Sequence, residues 1–198
     1  MNGYDLFPST VWSFDLDLDL DELRREVYSF SKTQPTIFGN YSNAGGYQGH
    51  YFDYKLLNDS IRDNIPRYKD PDLGDLYINS WVNINSKGCY NTRHSHAEAA
   101  NLLSGVYYVT VPENSGAIRF YDPRPSVIHS FADSRYYMPP QIYPIQPKEN
   151  MLLLFPCWLE HEVGVNDSDE DRISISFNLM RVKDIENFEA LRSSPIIR

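Results

Sequence analysis

Leu76-Tyr77-Ile78-Asn79-Ser80-Trp81-Val82-Asn83-Ile84-Asn85 is where the pattern of this chain changes to a period of two. Successive strand side chains point to opposite faces, so this alternation predicts a half-buried strand. The same kind of signal recurs downstream at short intervals. Tyr90 to His96 reads as extended. Leu103 to Val111 is dense in β-branched and aromatic residues and ends at Pro112. Ala117 to Tyr121 follows a turn at Glu113-Asn114-Ser115-Gly116. Ile142 to Ile145, Met151 to Phe155, Glu160 to Val165 and Arg172 to Met180 complete the set. Short strands with turn signals at this spacing predict an antiparallel sandwich or barrel, a mainly β fold. Between them, Asp122 to Pro140 holds four prolines and few regular signals, so it reads as a long excursion of the kind that makes a lid.

Upstream of Leu76 the chain reads differently. Asp21 to Ser31 carries Leu23, Val27, Tyr28 and Phe30 at helical spacing, with Asp17, Asp19, Asp21 and Glu22 near its start, where carboxylates suit the helix dipole. Asn40 to His50 is rich in Asn, Gly and Ser and reads as a loop. A second helix is expected over Leu56 to Ile65, stopped by Pro66, and a short one over Asp184 to Leu191. With no internal repeat and no linker, residues 1–198 read as one domain: a helical N-terminal part over 1–70, packed on the outside of a β core over 76–182.

Composition narrows the function. Tyrosine is abundant at 15, beside 10 Phe and 3 Trp, which again leans towards strands. The net charge of −9 opposes phosphate-backbone binding, so nucleic acid is not expected as the main partner. Cys89 and Cys157 form no C-x-x-C pair, so two free thiols are expected rather than a zinc ribbon or redox motif. The longest apolar run, Met151 to Phe155, is strand-sized and far short of a membrane span. The first residues, MNGYDLFPST, lack the basic start and apolar core of a signal peptide. A soluble, cytoplasmic protein is the expectation, and its tyrosines would permit a homodimer.

His94 and His96 carry the chemistry. Imidazoles at i and i+2 of an extended segment share one side. His161, which follows an apolar strand and the Phe155-Pro156 bend, is placed to close one face of a metal ion and leave the opposite face open. A hydrogen-bonded histidine pair is the plain alternative. Arg172, Ser174 and Ser176 share a strand face by alternation. An inward arginine needs a partner: a ligand carboxylate would satisfy it in bidentate fashion with help from the Ser174 hydroxyl, and an internal Asp or Glu is the bland choice. His50 and His129 lie in loop-like contexts and read as non-ligands. Trp81, Trp158 and Phe155 read as core. Tyr107 and Tyr108 must face opposite ways, so at most one lines a cavity. Arg124, in the Asp122-to-Pro125 turn, is free to contact a substrate or pair with an acid, and Asn166 to Asp171 reads as a solvated hairpin tip.

The run His94-Ser95-His96, then Leu103-Ser104-Gly105-Val106-Tyr107-Tyr108-Val109, Asp122-Pro123-Arg124, Leu154-Phe155-Pro156-Cys157-Trp158-Leu159-Glu160-His161 and Arg172-Ile173-Ser174-Ile175-Ser176-Phe177-Asn178 resembles the 2-oxoglutarate/Fe(II) oxygenase family common in marine phages and bacteria. More distantly the chain resembles prolyl hydroxylases. The resemblance spans about Phe7 to Met180, is strongest from Trp81 onward, and is specific through its joint order and spacing. It implies a double-stranded β-helix, a jelly-roll of the cupin type. It further implies a dioxygenase that uses Fe(II), 2-oxoglutarate and O2, hydroxylates its substrate and releases succinate and CO2. His94, His96 and His161 would be the metal ligands and catalytic centre, with Arg172 and Ser174 binding the far carboxylate of 2-oxoglutarate. Tyr90 and Asn83 could also reach the co-substrate. The substrate is unidentified, a protein side chain or a small molecule.

One departure matters. The wider superfamily carries a carboxylate where this chain has His96. Either His94, His96 and His161 form a three-imidazole site, or the frame moves and His96, Glu98 and His161 supply the set, or iron binding is lost. The distance to Ser104-Gly105-Val106-Tyr107-Tyr108-Val109 fits the H-x-H of the family that the chain resembles, and so favours the first. Three neutral imidazoles leave the ion's charge uncompensated until the 2-oxoglutarate dianion arrives, so the co-substrate should strengthen iron retention more than usual. The rival readings are a cupin-like metal dioxygenase without 2-oxoglutarate, and a non-catalytic jelly-roll module for binding or structure.

Overall fold

The Asp19 carboxylate starts the first helix, accepting from the backbone N–H groups of Asp21 at 3.0 Å and Glu22 at 2.9 Å. Such a cap is worth about 1 kcal/mol. The helix, α1, runs Leu20–Thr33 and buries Leu23 and Val27. The second, α2, runs Lys55–Asn64 and buries Leu57 and Ile61. Both match the expected spans to within two residues. The computed structural model describes residues 7–36, 42–65, 75–98, 100–124 and 141–186. Pro66, the excursion over 125–140 with His129, and the tail helix beyond residue 186 lie outside them, though a helical turn begins at 182–186.

The strands, in chain order, are β1 (Trp12–Asp15), β2 (Asn43–Ala44), β3 (Tyr47–His50), β4 (Leu76–Asn85), β5 (Tyr90–His94), β6 (Asn101–Thr110), β7 (Ile118–Tyr121), β8 (Ile142–Ile145), β9 (Met151–Pro156), β10 (His161–Val163) and β11 (Arg172–Arg181). They form a six-stranded sheet, β1-β9-β6-β11-β4-β3, and a five-stranded sheet, β2-β5-β10-β7-β8. The pairings are antiparallel, as the strand pattern predicted, and the fold is the mainly β double-stranded β-helix that the family resemblance implied.

Two corrections concern the N-terminal part. The segment over Asn40–His50 is not simply a loop, since β2 joins the small sheet beside β5 and β3 joins the large sheet beside β4. Its glycines suit that crossing: a Cβ on Gly46 would lie 2.8 Å from the Ile84 carbonyl oxygen. Trp12–Asp15, which carries no strand signal of its own, pairs with β9. The first 70 residues therefore supply three strands as well as two helices. A strand this short is defined by its partner, which local periodicity cannot register.

The large sheet has two unlike faces. Its outer face sends Val82, Ile84, Tyr107, Val109, Leu152, Leu154, Ile173, Ile175 and Phe177 against Leu23, Val27, Leu57 and Ile61 of the helices. Each fully buried aliphatic or Phe side chain there contributes about 1.5–3 kcal/mol. Gly105 allows this packing, because a Cβ there would sit 2.3 Å from the Phe177 ring. The inner face meets the small sheet through Val106, Tyr108, Leu153 and Phe155, against Ile118, Phe120 and Leu159. β9 is buried on both faces, hence its continuous apolar run. No described helix is long and apolar enough to cross a membrane.

Candidate metal centre

His94 closes β5 and His161 opens β10, and the two are direct partners in the small-sheet ladder. Their ring centroids lie 4.3 Å apart. The strand ends at His94, so the extended piece is shorter than Tyr90 to His96. His96 lies in the turn beyond, its backbone N–H donating to the Cys157 carbonyl at 2.8 Å. That bond brings His96 to the same place, with centroids 5.0 Å from His94 and 5.3 Å from His161. The three candidate ligand atoms all lie within 4.8 Å of one another. With metal–nitrogen bonds of about 2.1 Å, small side-chain rotations would bring all three to one ion.

Glu98 does not join them. The chain folds back after His96, the Glu98 N–H donating to the His96 carbonyl at 2.7 Å, and the Glu98 side chain is exposed and outside the cluster. The reading that used Glu98 required the segment to stay extended, and it does not.

Backbone carbonyls fix two of the rings. His94 Nδ1 lies 2.7 Å from the Thr92 carbonyl oxygen, and His161 Nδ1 lies 3.0 Å from that of Leu159. An Nδ1–H held in this way leaves Nε2 unprotonated and turned to the pocket, the arrangement by which proteins orient histidine ligands. Burial, with the neighbouring His94 charge second, pushes His161 down to about 3 and His96 to about 4. Burial also lowers His94. All three are neutral at pH 7, the state in which imidazole binds a metal.

The pocket floor comes from the inner face of β4, β11 and β6. Arg172, Ser174 and Ser176 line it together, as alternation requires. Register sets Ser174 opposite Asn83 on one side and Tyr108 on the other, so three polar side chains form one row. Tyr107 faces the helices, which leaves Tyr108 as the tyrosine of that pair that lines the pocket. Arg172 is only 2% exposed. Its Nη1 donates to the carbonyls of Ser115 at 2.6 Å and Gly164 at 3.1 Å, and no carboxylate pairs with it among the described residues. The Tyr108 hydroxyl and Asn83 Oδ1 are also buried with no partner among the described residues, while Asn83 Nδ2 donates to Ser176. A desolvated cation beside unpaired polar groups is costly unless something fills the space. A carboxylate would satisfy both Arg172 and the Tyr108 hydroxyl.

Several other expectations change. Tyr90 is 40% exposed and does not line this pocket, whereas Asn83 does. Trp158 is 46% exposed, because it sits in the turn after β9 rather than in the core. Phe155 is buried as expected. Trp81 is buried too, but it lines the pocket and stacks on His96. His50 is a β3 residue stacked on Trp81, not a loop residue. Arg124 pairs with Asp122. The acidic hairpin tip is anchored by Asn166, fully buried and bonded to the carbonyls of Asn85 and Glu170. Cys89 and Cys157 are free and buried. The roles of Tyr108 and of the Thr92 and Leu159 carbonyls had no sequence signal beyond alternation, since backbone acceptors carry no side-chain code.

Comparison with known proteins places this geometry in context. A family model described as "Putative 2OG-Fe(II) oxygenase" matches residues 79–178. No curated protein sequence matches the chain. Among solved structures, a Pseudomonas putida prolyl-4-hydroxylase is similar, with a TM-score of 0.62 at 14% identity, covering 87% of this chain and 93% of that one. A Trichoplax adhaerens prolyl hydroxylase, in complex with a hypoxia inducible factor oxygen degradation domain peptide fragment, has a TM-score of 0.61 at 17% identity over 93% of this chain and 87% of that one. HygX from Streptomyces hygroscopicus, with nickel, 2-oxoglutarate and hygromycin B bound, has a TM-score of 0.57 at 11% identity over 88% and 84%.

Proposed function

The chain belongs to the 2OG-Fe(II) oxygenase family, and on that premise we propose that His94, His96 and His161 hold the Fe(II) while Arg172 and Ser174 bind the far carboxylate of 2-oxoglutarate. The observation that carries this reading is the pairing of two ends of one pocket. Three neutral imidazoles meet at one end, and a buried guanidinium with no acidic partner among the described residues lies along its floor. Family membership decides against the two rivals, a cupin-like enzyme without 2-oxoglutarate and a non-catalytic module.

The residues present fit both groups. His94 and His161 present lone pairs fixed by their carbonyl anchors. Arg172 keeps the rest of its fork for a carboxylate, with the Ser174 and Tyr108 hydroxyls in the same row to donate further bonds. When bound, the iron supplies the redox chemistry that couples O2 and 2-oxoglutarate to oxidation of the substrate, with succinate and CO2 as co-products. The protein's part is orientation and water exclusion. The low-dielectric floor strengthens the Arg172 contact, and the apolar wall of Val106, Ile118 and Phe155 keeps the site dry.

The test is an anaerobic Fe(II) titration with and without 2-oxoglutarate. A metal-to-ligand charge-transfer band that requires both, and that Arg172→Ala removes at the same concentrations, is expected. Fe(II) binding with no band at any 2-oxoglutarate concentration would overturn the Arg172 assignment. Because three imidazoles bring no negative charge, 2-oxoglutarate should also tighten Fe(II) binding, and equal affinity with and without it would contradict the ligand set.

For the substrate we propose a protein side chain. Two similar structures are prolyl hydroxylases, one of them holding a peptide. HygX with hygromycin B makes a small molecule the competing class. Succinate release stimulated by proline-containing peptides, and not by aminoglycosides, would support the first.

A further inference from the structure

Two of the three imidazoles are oriented by hydrogen bonds, and the third is not. His94 and His161 each hold a carbonyl two residues earlier in the chain. The His96 ring has no hydrogen bond to any described residue; what it has are near-parallel rings. The Trp81 indole lies 5.5 Å from it at an interplanar angle of 23°, and the His161 ring 5.3 Å away at 6°. Trp81 is in turn backed by His50, its direct partner across β3 and β4, at 6.1 Å and 19°. The stack His50–Trp81–His96–His161 thus runs from the β3 edge of the large sheet to the buried ligand in the small sheet, joining the two sheets at the pocket.

We infer that Trp81 is a positioning residue for His96, setting by stacking the ring plane that backbone carbonyls set for His94 and His161. The inference rests on the reading of the three histidines as metal ligands. Its physical basis is the departure at this position. A carboxylate would be aimed by hydrogen bonds to its oxygens. An imidazole whose second nitrogen meets no acceptor among the described residues can still be held by its face, and that is the contact His96 makes. Trp81 suits that task because it is itself immobile: it is 8% exposed, sits within the long β4 ladder, and lies between His50 on β3 and Ser176 on β11. Aromatic rings with centroids about 4.5–7 Å apart attract each other, and offset stacking is one of their two preferred geometries.

The experiment uses Co(II) as probe, without 2-oxoglutarate, on the wild-type protein and on Trp81→Phe, Trp81→Leu and His50→Leu. Visible d–d spectra and Co(II) affinities are recorded beside melting curves of the metal-free proteins. Trp81→Leu should weaken Co(II) binding by about 10–100-fold, the range expected for loss of a group that orients a ligand, and should alter the spectrum. Trp81→Phe, which keeps a flat ring, should restore most of the affinity and the wild-type spectrum. If Trp81→Leu does not fold, His50→Leu removes only the backing ring and should show a smaller loss of the same kind. Wild-type affinity and spectrum in Trp81→Leu would overturn the inference. So would equal losses in the Phe and Leu variants that simply follow their melting temperatures. A wild-type protein that binds no Co(II) would instead overturn the ligand assignment beneath it.

Discussion

The outer and inner faces of β11 are built from alternate residues of one ten-residue strand, yet they obey different rules. Outward go Ile173, Ile175, Phe177 and Leu179, all at most 1% exposed and packed with the helices. Inward go Arg172, Ser174, Ser176 and Asn178, of which Arg172, Ser174 and Asn178 are also buried and all are polar. The outer face is satisfied by the protein itself, because apolar area needs only to be covered. The inner face is not, because Arg172 and its neighbour Tyr108 keep hydrogen-bonding capacity that no described carboxylate uses. Burial alone therefore does not distinguish core from site. The distinction lies in whether the buried group already has its partner.

Substitutions on the two faces should separate stability from ligand binding, and their failure to do so would break the comparison. The largest effect is expected for His161→Ala, which removes one of the three proposed ligands and should reduce Fe(II) affinity by more than the roughly 100-fold that loss of an orienting partner costs, read by the anaerobic titration. Next comes Arg172→Ala, expected to cost about 2–5 kcal/mol of 2-oxoglutarate binding, read by the charge-transfer band, with Fe(II) binding in its absence retained. Ile175→Ala acts on the opposite face and should cost about 2–5 kcal/mol of folding stability, seen in denaturant unfolding. Below its melting point it should keep the wild-type charge-transfer band. A variant that loses both would show that the faces are coupled.

The pH response comes from the three-histidine end of the pocket. His161 and His96 sit near 3 and 4 in the folded chain, below the ordinary imidazole value near 6.5. The unfolded state therefore binds more protons between these values. The metal-free protein should keep its full stability above pH 6.5 and lose it progressively as the pH falls towards 4. Melting curves across that range check the sign, and His161→Phe should flatten the dependence. The smallest effect is expected for Tyr108→Phe. It should weaken 2-oxoglutarate binding by about 1.5–3 kcal/mol, the loss of one hydrogen bond to a charged group. It should leave metal-free stability equal or higher, because an unpaired buried hydroxyl is removed.

Strands β4, β6, β9 and β11 were legible because each is long enough for alternation or a continuous apolar run to show. β1, β2 and β3 were not, being two to four residues whose strand state depends on a neighbour. At the site, the i, i+2 spacing suggested that His94 and His96 lie together. The reason proved different: His94 ends a strand, and His96 is carried inward by a backbone bond to Cys157. Residue type alone assigns Trp81 to the core, but its contact with His96 joins the large sheet to the segment that follows β5, which no local pattern records.

The order of residues by itself determined the β period, the amphipathic helices and the inward file of Arg172, Ser174 and Ser176, because each follows from the fixed geometry of a single strand or helix. Only the tertiary structure decided that His161 lies beside His94, that Glu98 turns away, that Tyr108 rather than Tyr107 lines the pocket, and that Trp81 backs His96. Those are distances between segments far apart in the chain, and they are set by sheet register and packing rather than by anything one segment carries alone.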